Sequence, residues 1–193
     1  MEANIYQAPE SDLVTSDLEE SQFYVVSNKK FLILFISTLG MYSIYWYYKN
    51  WKSYMENSNE NIMPFWRAVF SIFFTHSLFR KLNEKALKND QNHQFSNAAL
   101  ATFYVILTLG SQVTDQLASK GIGLPVTQFL SLLTLPFLVI IFYKAQVTAN
   151  IASADPQGES NNSLTGANYL WIVIGLLMWV LTLSVYFMPE QFQ

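Results

Sequence analysis

The stretch from Phe31 to Lys52, FLILFISTLGMYSIYWYYKNWK, constrains the fold more than any other part of the chain. About eighteen apolar or weakly polar residues run without a charge, followed by a dense group of aromatics and then Lys49 and Lys52. At ~1.5 Å per residue a helix over 31–48 is ~27 Å long, close to the ~30 Å hydrocarbon core of a bilayer. Tyr45, Trp46, Tyr48, Lys49 and Trp51 then read as an interfacial anchor, with rings where lipid meets water and ammonium groups among the headgroups. The spacing also puts Tyr47, Trp51 and Tyr54 on one helical face, suited to packing against the next apolar segment.

Hydropathy along the rest of the chain yields an all-α, polytopic helical membrane protein. Four transmembrane helices are expected at about 31–48, 98–114, 125–143 and 169–188. A fifth, short or re-entrant aromatic helix is expected at 62–79. Pro64 opens that fifth helix in a turn where proline is tolerated, and Pro136 should kink the 125–143 span. Together these form a membrane domain over 29–189. Ahead of it lies an acidic N-terminal tail, 1–28, read as disordered up to the short apolar approach Phe23-Tyr24-Val25-Val26. The tail carries Glu2, Glu10, Asp12, Asp17, Glu19 and Glu20, and no base precedes Lys29. An acidic start with a late apolar run does not read as a cleavable signal peptide, so 31–48 reads as a retained signal anchor.

Composition narrows the function classes. Only 13% of the 193 residues are charged and 51% are hydrophobic, whereas a soluble domain carries about a quarter charged residues. The net charge of −3 comes largely from the tail. No basic stripe supports nucleic-acid binding. With no cysteine, disulfides, thiol catalysis and thiolate metal sites are excluded. His76 and His93 stand apart without a carboxylate pair, so no metal site is expected. No GxSxG, HExxH or phosphate-loop pattern occurs. The chain therefore reads as neither an enzyme nor a cofactor protein.

Two constellations stand out. On the 98–114 span, Ala101, Tyr104, Thr108, Ser111 and Asp115 recur at spacings of three and four, which places them on one helical face. The plain reading is a helix–helix seam of small and hydroxylated residues. The sharper one is a polar face of Tyr104, Thr108 and Ser111 lining a cavity and ending at the ionisable Asp115. The second constellation is Arg67 in the aromatic helix. If that helix spans the membrane, Arg67 and Asp115 lie near the same surface and form an intramembrane pair; otherwise Arg67 snorkels to phosphates. The positive-inside rule accepts both five spans with the N-terminus inside and four with it outside, and both put the basic cluster 80–88 in the cytoplasm.

The motifs Gly40-x-Tyr42-x-x-Tyr45-Trp46-x-Tyr48-Lys49-Asn50-Trp51 and Pro64-Phe65-Trp66-Arg67-Ala68 resemble those of a family of small integral membrane proteins of unknown function, found mainly in proteobacteria. The resemblance covers about residues 24–85. The tail Asn4-Ile5-Tyr6-Gln7-Ala8-Pro9 is similar to an Asn-Pro-Tyr-x-x-Pro tail on other small bacterial membrane proteins, with Ile5 in place of its proline. The resemblance implies a multi-pass protein of the bacterial inner (cytoplasmic) membrane and carries no activity. The expected function is a non-enzymatic scaffold or regulator that binds another membrane or cytoplasmic protein, with the tail as the contact. The alternative is a small transporter or channel, formed as a homo-oligomer, that uses the polar face on 101–115. Membrane lipid is the other expected partner, and no nucleic acid is expected.

Overall fold

The run 31–48 is not one helix. A computed structural model describes residues 23–58 and 60–187, and in it this run is split into α1 (Asn28–Ser37) and α2 (Tyr42–Glu56). The break is chemical. Leu39 takes φ +52° and Gly40 φ +82°. The Gly40 N–H donates to Phe35 O at 2.8 Å and the Leu39 N–H to Ile36 O at 3.2 Å, the paired bonds of a Schellman stop. Thr38 Oγ1 donates to Leu34 O at 2.8 Å and accepts from the Tyr42 N–H at 3.0 Å, so one hydroxyl closes α1 and starts α2. These bonds offset the ~1–2 kcal/mol that a left-handed leucine costs. Leu39 reaches the level of Leu135 and Leu138, and α2 then returns. Its Trp46 bonds Gln146, and its Tyr54 stacks on Phe23 at 5.8 Å. The segment is a helical hairpin with both ends on the same side of the molecule.

The expected helix 62–79 is also divided. α3 (Pro64–Val69) ends at Phe70, and α4 (Ser71–Asn89) carries on through the basic cluster. α5 (Asn97–Ser119), α6 (Val126–Ala152) and α7 (Gly166–Phe187) follow. Pro136 lies inside α6, which runs unbroken past it and ends well beyond the expected residue 143. Among the described residues the fold is all-α, with seven α-helices.

Two of these, Val126–Ala152 and Gly166–Ser184, are long and apolar enough to cross a membrane. This corrects the expectation of four spans plus a fifth. α1 is too short, and α5 is diluted by Thr102, Thr108, Ser111, Gln112, Thr114, Asp115 and Gln116. Only 11% and 6% of the apolar windows of α6 and α7 are buried, whereas a soluble core helix would be mostly covered.

α6 carries α5, α4 and α1. α5 lies antiparallel along it, with Tyr104 against Phe142 at 5.5 Å and Phe103 against Phe137 at 5.9 Å. α1 and α4 pack on other faces of its second half, where Ile141, Phe142, Ala145 and Ala149 are buried. The core there is aromatic: Phe35, Trp46, Tyr47 and Tyr104 all contact one another or Phe142. Towards the α5–α6 turn the helices instead expose Ile106, Leu109 and Val113 on α5 and Leu130, Leu133 and Phe137 on α6. α7 packs along α1, so close that a Cβ on Gly175 would sit 2.2 Å from Ser37 O. The molecule thus has a packed end and an apolar-surfaced far end.

Residues 1–22 of the expected disordered tail lie outside the described residues. Residues 23–27, assigned to the same tail, are instead held at the packed end, where Phe23 and Val26 are buried. An extended segment in a helical protein has no strand to pair with, so side-chain amides satisfy its backbone. Asn150 accepts from the Val26 N–H at 3.2 Å and donates to Val26 O at 3.0 Å. Asn50 accepts from the Tyr24 N–H, and Gln146 donates to Tyr24 O. Ser153 bonds both N–H and C=O of Phe23. From the 153–165 loop, Asn161 donates to Val25 O at 2.9 Å and accepts from the buried Lys30 Nζ at 2.6 Å. Asp155 shapes that loop by accepting the backbone N–H of Glu159 and Ser160. Burial alone would raise its pKa, but these N–H donors outweigh it and hold the carboxyl below its ordinary value.

A candidate site: the polar groove of α5, α6 and α7

The upper half of the α5 face opens into a groove. Ser111, Asp115 and Ala118 form one wall, and Gln128, Ser131, Leu132, Thr134, Leu135 and Leu138 of α6 form the other. Thr182 of α7 and Leu39 of the α1–α2 turn close the deep side. The groove encloses about 340 Å³. The spacing 128, 131/132, 135, 138 is one face of a helix. Because α5 and α6 run antiparallel, the groove has a gradient. Asp115, Ala118 and Gln128 lie towards the α5–α6 turn, and Leu135, Leu138 and Leu39 lie deeper.

Two of the hydroxyl protons along it are already used. Ser111 Oγ donates to Thr108 O at 3.1 Å and Thr134 Oγ1 to Ser131 O at 2.7 Å. A hydroxyl that donates to its own helix offers lone pairs to anything beside it. The lining holds one carboxylate and no Lys or Arg. Among the described residues no ion pair involves Asp115.

The other half of the expected polar face is core. Tyr104 is buried, bonds Ser71 at 3.0 Å and packs on Phe142. Thr108 is half-buried and accepts the Ser111 hydroxyl at its carbonyl. One stripe therefore does two jobs: Ala101 and Tyr104 make the seam, while Ser111 and Asp115 face the groove.

Arg67 and Asp115 are not brought together. The Arg67 guanidinium lies 4.4 Å over the Trp51 ring and 5.2 Å from that of Phe74, at the packed end. The expected pairing assumed that 62–79 crosses the membrane; the break at Phe70 removes that premise. The anchor group also divides. Trp46 and Trp51 are fully buried and meet no interface, and Tyr47 and Tyr54 are buried with them. Tyr45 is exposed, while Tyr48 and Lys49 are half-buried, with Lys49 Nζ 5.4 Å from the Tyr24 ring centroid.

The remaining polar groups at the packed end are structural. Lys81 Nζ meets Glu60 Oε1 at 2.8 Å and the Tyr54 hydroxyl at 2.6 Å, and that hydroxyl donates to Glu60. The Lys81 bond, helped by Tyr54, lowers the Glu60 pKa. Burial would lower that of Lys81, but its bonds to Glu60 and Tyr54 raise it. His76 bonds Thr102 and His93 bonds Thr148.

Sequence reasoning missed Gln128, Ser131, Thr134 and Thr182. The signal was there: polar residues at 128, 131 and 134 inside a span otherwise rich in Leu and Phe. A scan of protein-family models, a search of curated proteins and a search of solved structures each returned no match.

Proposed function

We propose that this chain is a multi-pass protein of a bacterial inner membrane. It crosses three times, through α5, α6 and α7, and inserts α1–α2 as a re-entrant hairpin. If α6 crosses, α5 must cross with it, because the two lie antiparallel over most of their length. Of the 11 Lys and Arg residues, only Lys120 lies at the α5–α6 turn. The positive-inside rule then puts the packed end, with residues 23–27, 57–63, 80–96 and 153–165, in the cytoplasm. The resemblance to the small proteobacterial membrane family agrees with this location.

At the cytoplasmic end the chain acts by binding, as a non-enzymatic scaffold or regulator of another membrane or cytoplasmic protein. The observation that carries this is where its polar side chains go. Asn50, Gln146, Asn150, Asn161 and Lys30 are each engaged in fixing backbone or a neighbouring amide. They hold residues 23–27, which follow the acidic segment in the sequence, against the helices. Photo-crosslinking from Glu84 and Lys88 in cells tests this. A single protein partner, lost on deleting residues 2–20 while membrane insertion is unchanged, supports it; crosslinks to lipid alone contradict it. The groove favours a second reading, a small oligomeric transporter or channel. In that case crosslinks from α5 would join two copies of the chain.

A further inference from the structure

We infer that the α5–α6–α7 groove binds small amphiphilic organic cations, such as alkylammonium ions, with the ammonium at Asp115 and the alkyl chain directed inward along the leucines. Three observations converge. The polar lining is acceptor-rich: the Asp115 carboxylate, and the hydroxyls of Ser111 and Thr134 whose protons are spent on their own helix. An ammonium group supplies donors to these acceptors and an opposite charge to the carboxylate. No base lines the groove, and among the described residues Asp115 has no ion-pair partner, so a cation meets no competitor. The charge sits at one end: Asp115 and Gln128 lie near the α5–α6 turn, and Leu132, Leu135, Leu138 and Leu39, with the Thr134 hydroxyl oxygen among them, lie deeper, in about 340 Å³.

The gradient selects the ligand type. A ligand entering tail-first from the α5–α6 turn puts its chain among leucines and its head at the carboxylate. A phospholipid is a poorer fit. Asp115 lies about one turn inside the end of α5, and a seated lipid would have to carry its ammonium below its own phosphate. An anion is repelled by Asp115, and a neutral alcohol would gain the leucine wall without the charge contact. Such mostly apolar pockets with a few convergent polar groups are the usual form of small-molecule sites. The inference uses the membrane reading only to place the groove, and the binding assay reports on the groove whether or not the scaffold reading holds.

The test is saturable binding of octylammonium to the full chain in lipid nanodiscs, measured above empty nanodiscs, with octanol as the uncharged probe. Asp115→Asn should weaken octylammonium at least about ten-fold and leave octanol unchanged, a ten-fold change being about 1.4 kcal/mol. Thr134→Val, which deletes one acceptor at nearly constant volume, should weaken it by a smaller factor of about two to five. If Asp115→Asn fails to fold, the Thr134→Val comparison decides. Equal affinity for octanol and octylammonium overturns the inference. So does an effect of neither substitution. Displacement of octylammonium by ethanolamine phospholipid, but not by added short-chain amines, would reassign the site to lipid and overturn the tail-first geometry.

Discussion

Replacing Gly175 with alanine should destabilise the protein, although the same change elsewhere in a helix stabilises it. α7 approaches α1 so closely that an added Cβ would lie 2.2 Å from Ser37 O, 2.7 Å from Ser37 C and 2.9 Å from Thr38 Cα. All three are backbone atoms and none can rotate away. A carbon–oxygen contact ordinarily sits near ~3.3–3.6 Å, so α7 must retreat by about 1 Å. A gap of that size forfeits roughly a quarter to a half of each dispersion contact along the seam. It also stretches the bond from Trp179 Nε1 to Ile36 O, now 2.9 Å, and such bonds average about 0.6 kcal/mol in a membrane protein. Overpacking of this kind costs ~1–3 kcal/mol. Against it stands the gain of ~1 kcal/mol from removing a glycine from a helix, leaving a net loss of up to about 2 kcal/mol. Gly110 on α5 is the control, because a Cβ there meets nothing within 4 Å. Gly110→Ala should therefore stabilise by up to ~1 kcal/mol. Denaturation in mixed micelles reads both. If the two substitutions shift stability in the same direction by the same amount, α7 does not dock on the end of α1.

Three other outcomes follow from the packed end. Gln146→Leu strands the Trp46 indole N–H and the Tyr24 carbonyl in a buried site; at ~1–3 kcal/mol per orphaned group it should lower the thermal midpoint markedly, and an unchanged midpoint contradicts the network. Gly158 sits at φ +68°, with an added Cβ 2.5 Å from Val26 C and O. Gly158→Ala should thus loosen 23–27, seen as faster proteolysis after Phe23 or Tyr24. Glu60 has a depressed pKa in the folded protein, so its pairing stabilises above its ordinary value of 4.5 and is lost as pH falls below that. Lys81 is raised, so its share is present below its ordinary value of 10.5 and lost as pH rises beyond it. Glu60→Gln should flatten the acid side of a melting-temperature profile, and an unaltered slope below about pH 5 argues against the pair.

The sequence made some of this fold legible and hid the rest for identifiable reasons. The three long helices α5, α6 and α7 were readable because Leu, Ile and Val recur along each over nearly its whole length. The α1–α2 hairpin was hidden by averaging. Thr38 and Gly40 stop a helix through a capping hydroxyl and a left-handed turn, yet in a hydropathy window they count as mild residues within an apolar run. Trp46 and Trp51 looked interfacial for a related reason: tryptophan is common both in aromatic belts and in cores, and composition does not separate the two. For Trp46 the distinguishing feature is the Gln146 amide that accepts its indole N–H from a hundred residues away. At the groove, α5 spacing located Ser111 and Asp115 but could not supply Gln128, Ser131 and Thr182, which come from other helices. The Arg67–Asp115 pairing rested on 62–79 being one spanning helix, whereas that run is divided at Phe70 and Arg67 lies over Trp51.

The claim on which the rest depends is that α1–α2 enters the membrane and returns on the side it came from. The chain has no cysteine, so single cysteines report without background. Asn57→Cys, Glu84→Cys, Asn162→Cys and Gly121→Cys should be treated with a membrane-impermeant maleimide on intact spheroplasts and again after lysis. The account predicts that Gly121→Cys labels in intact cells and that the other three label only after lysis. Labelling of Asn57→Cys from outside, with Glu84→Cys still protected, would mean that 31–48 crosses as a single span and would contradict it.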